Sequence, residues 1–427
     1  MNGVGMANVR RAWAMIAALV VVAPMALAGC GEGEKPRFVN ATGQPTTSPT
    51  PPAEPVVLAI TPATGAAKQP VSTEIGTTVT GGKITDVTLT TGGTKVPGSL
   101  REDGTSWVPD GPLKYAKQYE ATVTATGPSG QVETKTTSFT TMAKPRSQIG
   151  SGLYLFDDKV YGVAMPVVVE FSPGIPKKDR AAVQRRMFVR TDPPQPGAWH
   201  WVANGTQAFY RAPKFWQPET KLTVRIGLEG IPLSNGKYGN VDRKASTRIG
   251  DSFEMKVDNS TKQMTVFENG KLVRTMPVSL GKRATPSSSG TMVVMEKKET
   301  TVFDTRDDPN PANRYVTDID FAQRLTWGGE FIHAAPWSVE QQGRTNVSHG
   351  CVNLSTPNAR WLFERTKIGD PVTVKGTERR LENGNGWTAW DMSWDEFVKG
   401  SALPVSTAPA ATGSAPASPS AGVTPSS

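Results

Sequence analysis

In residues 55–143 the apolar positions fall in short alternating runs with no long helical period. The runs are Val56-Val57-Leu58-Ala59-Ile60 and residues 84–89, 119–126 and 134–139; Gly81-Gly82, Gly92-Gly93, Asp103-Gly104 and Pro128-Ser129-Gly130 separate them. Short strands at a spacing of roughly 8–12 residues predict a β-sandwich. No cysteine pair staples it, so it is immunoglobulin-like in architecture only. Residues 148–250 read as a divergent second copy: an aromatic followed by a β-branched strand at Tyr115–Val123 is echoed at Phe215–Val224. Within that copy 167–171 is a strand and 179–186 a short helix. Trp199-His200-Trp201 is either a carbohydrate-stacking platform or aromatic packing at a domain junction.

From residue 251 the pattern stays β. Phe253, Met255 and Val257 alternate, residues 264–267 lead to Asn269-Gly270, and a return strand opens with Leu272-Val273, which is a hairpin signature. Residues 286–290 predict a turn before a strand at 291–295. Residues 301–320 read as one long polar loop, the kind that covers a site, with Phe303 and Tyr315 as its apolar points. Gly328-Gly329 turns the chain into a short strand ending on His333. Further on, Thr356 is the expected N-cap, Pro357 the first helical residue, and 358–366 a helix burying Trp361, Leu362 and Phe363. Gly369-Asp370 stops it and 372–374 closes the sheet.

The ends of the chain differ from this interior. Arg10 and Arg11 precede an apolar stretch over 12–28 that ends in Leu27-Ala28-Gly29-Cys30. A positive start, a short apolar run and small residues predict a secretory signal; the run is short for a span of about 20 residues. The L-A-G-C sequence resembles a bacterial lipobox, with Cys30 lipidated at the mature N-terminus. An ordinary signal with a nearby free cysteine is the alternative. Residues 31–54, rich in Pro, Thr, Ser and Gly, predict a flexible tether that fully extended reaches about 80 Å. Residues 377–406 form an extension containing Trp387, Trp390 and Trp394, and 407–427 a disordered Ala/Pro/Ser/Thr tail.

Composition adds location more than fold. At 427 residues the chain suits three domains; 42 Gly and 35 Pro supply many turns, and frequent Thr and Val in the interior favour β-structure over helix bundles. The formal charge is +9; loss of 1–29 removes two arginines and no acid, leaving +7. A basic exported chain is drawn to anionic wall polymers or lipid head groups. With no basic stripe interleaved with aromatics, nucleic acid is not an expected partner.

The chemistry concentrates in one interval. Of two cysteines and three histidines in the chain, Cys351, His333 and His349 lie within it. A thiol attacks only as thiolate, and at an ordinary pKa of about 8.5 it needs a base nearby. With Cys30 lipidated, Cys351 has no disulfide partner, which points to a reactive thiol. His333 is the candidate base. Gly350 lets the backbone turn tightly, so that amides around Cys351 face a developing oxyanion. Zinc is the rival reading, but the spacing of these three residues matches no common zinc motif. A buried Cys with two core histidines is the bland one.

Phe331-Ile332-His333 followed by Ser348-His349-Gly350-Cys351-Val352-Asn353 resembles the signature of the L,D-transpeptidases of the bacterial cell wall, with their YkuD-type catalytic domain. The likeness covers 251–376, about 30% of the chain. The two sandwiches, the lipobox and the Trp-rich extension resemble actinobacterial and mycobacterial members. The resemblance implies a mainly β protein: two tandem immunoglobulin-like sandwiches (55–143 and 148–250), then a β-rich catalytic domain with one short helix after the cysteine. It implies that Cys351 is the acyl-accepting thiol and His333 the general base and acid, oriented by the Ala334 carbonyl. Gly350 would belong to the oxyanion region and His349 would support the motif. Ser348 and Asn353 would hold substrate, Tyr315 and Trp337 would line the donor pocket, with Tyr315 near the oxyanion, and Phe303 would sit in a lid. The implied reaction joins peptidoglycan stem tetrapeptides, donor and acceptor, by 3→3 cross-links with release of D-alanine. No cofactor or metal is implied, and carbapenems would acylate the thiol. A hydrolase that lets water resolve the acyl-enzyme, and a non-enzymatic wall-binding lipoprotein, are the alternatives.

Overall fold

Along Gln118–Thr126, Tyr119, Ala121, Val123 and Ala125 point inward while the residues between them face solvent, the period-2 pattern of a half-buried strand. The computed structural model describes residues 54–307, 311 and 314–405. Cys30, the signal, most of the tether and the 407–427 tail lie outside the described residues. The first sandwich packs a sheet ordered Val57–Thr61, Ile75–Thr80, Ser106–Pro109, Gly98–Leu100 on one ordered Ala66–Gln69, Val132–Thr141, Gln118–Thr126, Lys83–Thr91, Thr94–Val96. Leu58, Ile75, Leu89, Trp107, Tyr119 and Phe139 fill the space between.

The second sandwich repeats the scheme over Gln148–Leu153 to Arg243–Ile249, with sheets of five and four strands. Its one helical segment is a 3₁₀ turn, Lys177–Asp179, running into a helix at Arg180–Gln184. Trp199 and Trp201 are buried. His200 stacks on Phe397, with Nδ1 2.8 Å from the Phe397 carbonyl. The three residues therefore pack at a junction, the second of the two readings: the Trp199 and Trp201 indoles donate to the Met187 carbonyl and to Gln184 Oε1 inside the protein.

The third unit holds two sheets. One is ordered Lys271–Pro277, Gln263–Glu268, Phe253–Asp258, Pro371–Lys375, Ser288–Val293, Arg379–Arg380; the other Glu296–Asp304, Val316–Arg324, Phe331–Ala334, Val352–Leu354. Asn269 and Gly270 both take positive φ, 49° and 77°, as a two-residue hairpin turn requires. Met255, Val266, Ile332, Val352, Leu362 and Val372 share the core between the sheets and the helix Thr356–Arg365.

Four local expectations change. The helix N-cap is Ser355 and Thr356 is already helical, since Pro357 fits equally as the second helical residue. The loop at 301–320 is mostly a hairpin, Glu296–Asp304 against Val316–Arg324, leaving only 305–315 as connection. Near its tip Val302 and Val316 are exposed while Thr301 and Thr317 lie on the inner side, so the hydrophobic contrast is blurred there. Most of the 286–290 turn lies in the strand Ser288–Val293. The strand at Pro371–Lys375 is central: it runs parallel to Phe253–Asp258 and antiparallel to Ser288–Val293.

The Trp-rich extension packs back onto the second sandwich. Trp387, Ala389 and Phe397 enter that sandwich's core beside Val293 and Met295 of the third unit. Trp390 donates its indole N–H to the Ala164 carbonyl at 2.6 Å. Arg211, 2% exposed, donates to the Ala389 and Met392 carbonyls and lies against the rings of Trp390 and Phe397.

Candidate active site

Two short parallel strands build the site. Phe331–Ala334 pairs with Val352–Leu354 in the register Ile332↔Val352, His333↔Asn353, Ala334↔Leu354. Strand side chains alternate, so Ile332, Ala334, Val352 and Leu354 enter the core. His333 and Asn353 share the opposite face, and Cys351, two residues before Asn353, joins them on the wall of one cavity of about 500 Å³. Phe303, Tyr315, Trp337, Ser348 and His349 line the same cavity. The structure thus gathers residues spread from 303 to 353 around one sulfur.

The imidazole is fixed on three sides. His333 Nδ1 lies 2.8 Å from the Ala334 carbonyl oxygen. A carbonyl only accepts, so Nδ1 carries the proton and Nε2 the lone pair. Phe303 stands edge-on to the ring at 5.5 Å and Trp337 lies 6.1 Å away. Burial holds His333 down at about 4, against the partial support of the Ala334 carbonyl.

The thiol is enclosed as well. Cys351 is a free cysteine among Ile319, Ala322 and Phe331, its S–H donating weakly to the Gly329 carbonyl at 3.7 Å. Burial pushes it up to about 12; the Phe331 amide pulls it down and the nearby Glu330 charge pushes it up further. The sequence suggests a cysteine ionised by its neighbouring base. The resting pair is instead neutral on both sides, because the same dry wall disfavours imidazolium and thiolate alike.

The motif loop is held by its own polar groups. Gly350 takes φ +127°, which a side chain would strain. Its N–H donates to Ser348 Oγ at 3.1 Å, and its carbonyl accepts from Ser287 Oγ at 2.7 Å. Ser348 Oγ donates to the Cys351 carbonyl at 2.7 Å, so it shapes the loop although it was expected to hold substrate. His349, expected to support the motif, is exposed at the cavity edge, its ring 5.2 Å from Tyr315 and its Nε2 3.0 Å from Lys282 Nζ. Asn353 Nδ2 donates to Ser338 Oγ at 3.1 Å, while its buried Oδ1 has no partner. The Tyr315 hydroxyl is raised by burial and by the Cys351 sulfur beside it.

The sequence reading missed the support behind this loop. Glu330, 5% exposed, accepts from the Ser288 amide at 3.1 Å and the Ser288 hydroxyl at 2.7 Å, and pairs with Arg379. Ser288 and Arg379 are 42 and 49 residues from Glu330 in sequence. No spacing rule joins them. Among the described residues no group of three or more His, Cys, Asp and Glu side chains converges as a metal-binding set.

A thiol and a carbonyl-oriented imidazole share one wall of a cleft whose described lining has no carboxylate, lysine or arginine, the parts that Cys–His acyl transfer requires. Residues 252–374 match the L,D-transpeptidase catalytic domain family YkuD, and residues 66–232 match the bacterial Ig domain Big_10. L,D-transpeptidase 2 of Mycobacterium tuberculosis is 33% identical over 410 residues, which is 93% of this chain and 97% of the relative. L,D-transpeptidase 5 of the same species is 34% identical over 80% of this chain and 76% of its own length. The chain belongs to the L,D-transpeptidases, enzymes of peptidoglycan cross-linking. Among solved structures, LD transpeptidase LdtMt1 in complex with imipenem is 35% identical, covering 54% of this chain and all of that one at a TM-score of 0.46. L,D-transpeptidase 3 of M. tuberculosis with a faropenem-derived adduct is 26% identical over 54% of this chain and 98% of its own, at a TM-score of 0.44.

Proposed function

We propose that this protein forms 3→3 cross-links between peptidoglycan stem peptides through an acyl-enzyme on Cys351. One observation carries the reading: His333 and Cys351 lie on the same face of paired strands and open into one cleft. The thiol attacks the carbonyl between the third stem residue and the terminal D-alanine of a tetrapeptide donor. The S–H proton passes to His333 Nε2 as the S–C bond forms, since neither partner is ionised at rest. The C–N bond breaks, and His333 returns the proton to the departing amine, releasing D-alanine. A side-chain amine of a neighbouring stem then attacks the thioester carbonyl and gives its proton to His333; the C–S bond breaks, and His333 returns the proton to the Cys351 sulfur. The Cys351 amide and the Tyr315 hydroxyl are the oxyanion donors in this reading, because the Gly350 amide is committed to Ser348. Phe303 and Trp337 flank the donor.

Carbapenems, whose strained amide acylates thiols, fit the same step; imipenem and faropenem-derived species are held by solved relatives. In this proposal the chain is exported, lipidated at Cys30 and anchored on the outer face of the plasma membrane, with the sandwiches as its stalk. Intact-mass analysis with a disaccharide-tetrapeptide and with a carbapenem tests it. Adducts confined to Cys351 and a dimeric muropeptide lacking one D-alanine are expected. Adduct without dimer would favour the hydrolase.

A further inference from the structure

The cleft beside Cys351 is lined by apolar, hydroxyl, amide and imidazole groups, with no carboxylate and no lysine or arginine among the described lining residues. The donor in the proposed reaction ends in a carboxylate one residue beyond the attacked carbonyl. An anion entering such a cleft loses water and needs a fixed cation at its edge.

Lys282 is such a cation. Its backbone is locked to the motif loop: the Lys282 amide donates to the Ser348 carbonyl at 2.9 Å, and Gly281 bridges to Ser348 in parallel. Its ammonium reaches His349, which lines the cleft, at 3.0 Å from Nε2. An ammonium can only donate, so Nε2 accepts and His349 stands as the neutral Nδ1–H tautomer. His349 in turn lies against the Tyr315 ring at 5.2 Å. Among the described residues no carboxylate comes within 4.0 Å of the Lys282 ammonium, whereas Lys256, Lys298 and Lys375 each have one. A lysine has three N–H bonds to give, and His349 takes one.

Resting on the transpeptidase reading, we propose that Lys282, steadied by His349, is the docking point for the α-carboxylate of the donor's terminal residue. The ammonium marks the leaving-group end of the cleft and selects a stem whose chain stops one residue past the scissile bond. Lys282 is a specificity-determining residue here. It binds the end of the donor, and the chemistry stays with Cys351 and His333.

The test measures Cys351 acylation by intact mass for the full-length protein and its Lys282→Met and Lys282→Arg variants. Each meets a disaccharide-tetrapeptide donor with a free C-terminal carboxylate and the same donor as its C-terminal carboxamide. The native protein should prefer the carboxylate by about tenfold in kcat/KM, the scale of one charge-assisted hydrogen bond. Lys282→Met should raise KM for the carboxylate donor about tenfold, leave kcat within about threefold, and abolish the preference. Lys282→Arg should recover part of it, which loss of fold in the Met variant cannot mimic. A Lys282→Met protein that still prefers the carboxylate by the native ratio overturns the proposal. So does a preference that follows the α-carboxylate of the acceptor stem when the acceptor is amidated instead. If the native protein is acylated by neither donor, the transpeptidase reading itself fails, a result distinct from either.

Discussion

His333 Nδ1 sits 2.8 Å from the Ala334 carbonyl oxygen, a bond between adjacent residues that needs no other side chain. It fixes the tautomer and aims Nε2 at the cleft. Burial holds His333 at about 4 and the Cys351 thiol at about 12. Acylation that needs neutral His333 is lost as pH falls through about 4 and is otherwise flat until the thiol ionises. The pH profile of carbapenem acylation should therefore be level from pH 6 to 9. An inflection of one proton near 6.5 would show instead a preformed ion pair.

Removing the base separates the same alternatives. His333→Gln should lower the acylation rate by about 10²–10⁴-fold. It should leave iodoacetamide alkylation of Cys351 almost unchanged, because the resting thiol is not ionised by His333. Parallel losses in both assays would contradict a neutral resting pair.

Arg379 reaches Glu330 from beyond the catalytic domain's central strand and covers a carboxylate that braces the motif strands. Arg379→Ala leaves that buried carboxylate with Ser288 alone, at a cost of about 1–3 kcal/mol. The urea midpoint should fall and acylation should weaken with it. Glu330→Gln removes the negative charge beside the sulfur, so the pH midpoint of Cys351 alkylation should move down.

Asp370 is fully buried where residues 162–164 of the second sandwich meet the catalytic unit, through the Gly162 and Ala164 amides on Ile368 and Gly369. Burial raises its carboxyl to about 7, opposed by the Lys367 amide and by the charges of Lys367 and Lys297. An unfolded Asp ionises near 3.8. The folded state therefore keeps a proton that the unfolded state has lost, and stability falls as pH rises between those values. Asp370→Asn should flatten the slope of Tm against pH from 4 to 7. The variant's advantage should reach on the order of 1–3 kcal/mol at pH 7 and then level off. Equal slopes for both proteins would refute it.

Arg211 ties the C-terminal extension to the second sandwich by cation–carbonyl and cation–ring contacts. Arg211→Ala should destabilise by about 2–4 kcal/mol. Limited proteolysis should then open the Gly384–Gly386 segment before the sandwiches are cut. An unchanged cleavage pattern would mean the strap holds without it.

Strands that expose one face were legible in the sequence, because every second residue changes its solvent. Residues 119–126 and 253–258 were read directly for that reason. So was the Asn269-Gly270 turn, whose positive φ values admit few residue types. The place of the cleft was legible too, since Cys351, His333 and His349, which line it, cluster within one short interval of a chain with few thiols or imidazoles.

The hairpin that places Phe303 and Tyr315 over the cleft was hidden, since outward Val302 and Val316 and inward Thr301 and Thr317 blur the period that marks a strand. The supports of the site were hidden for another reason. Glu330 meets Ser288 and Arg379, and Lys282 meets His349, only where sheet pairing brings together residues 42 to 67 positions apart. The protonation of the central pair was hidden as well, because burial is a property of the packed fold. Which thiol and imidazoles are candidates for the chemistry was written in local sequence. How dry they are, and what holds them, was decided only by tertiary packing, which sets the solvent around each group.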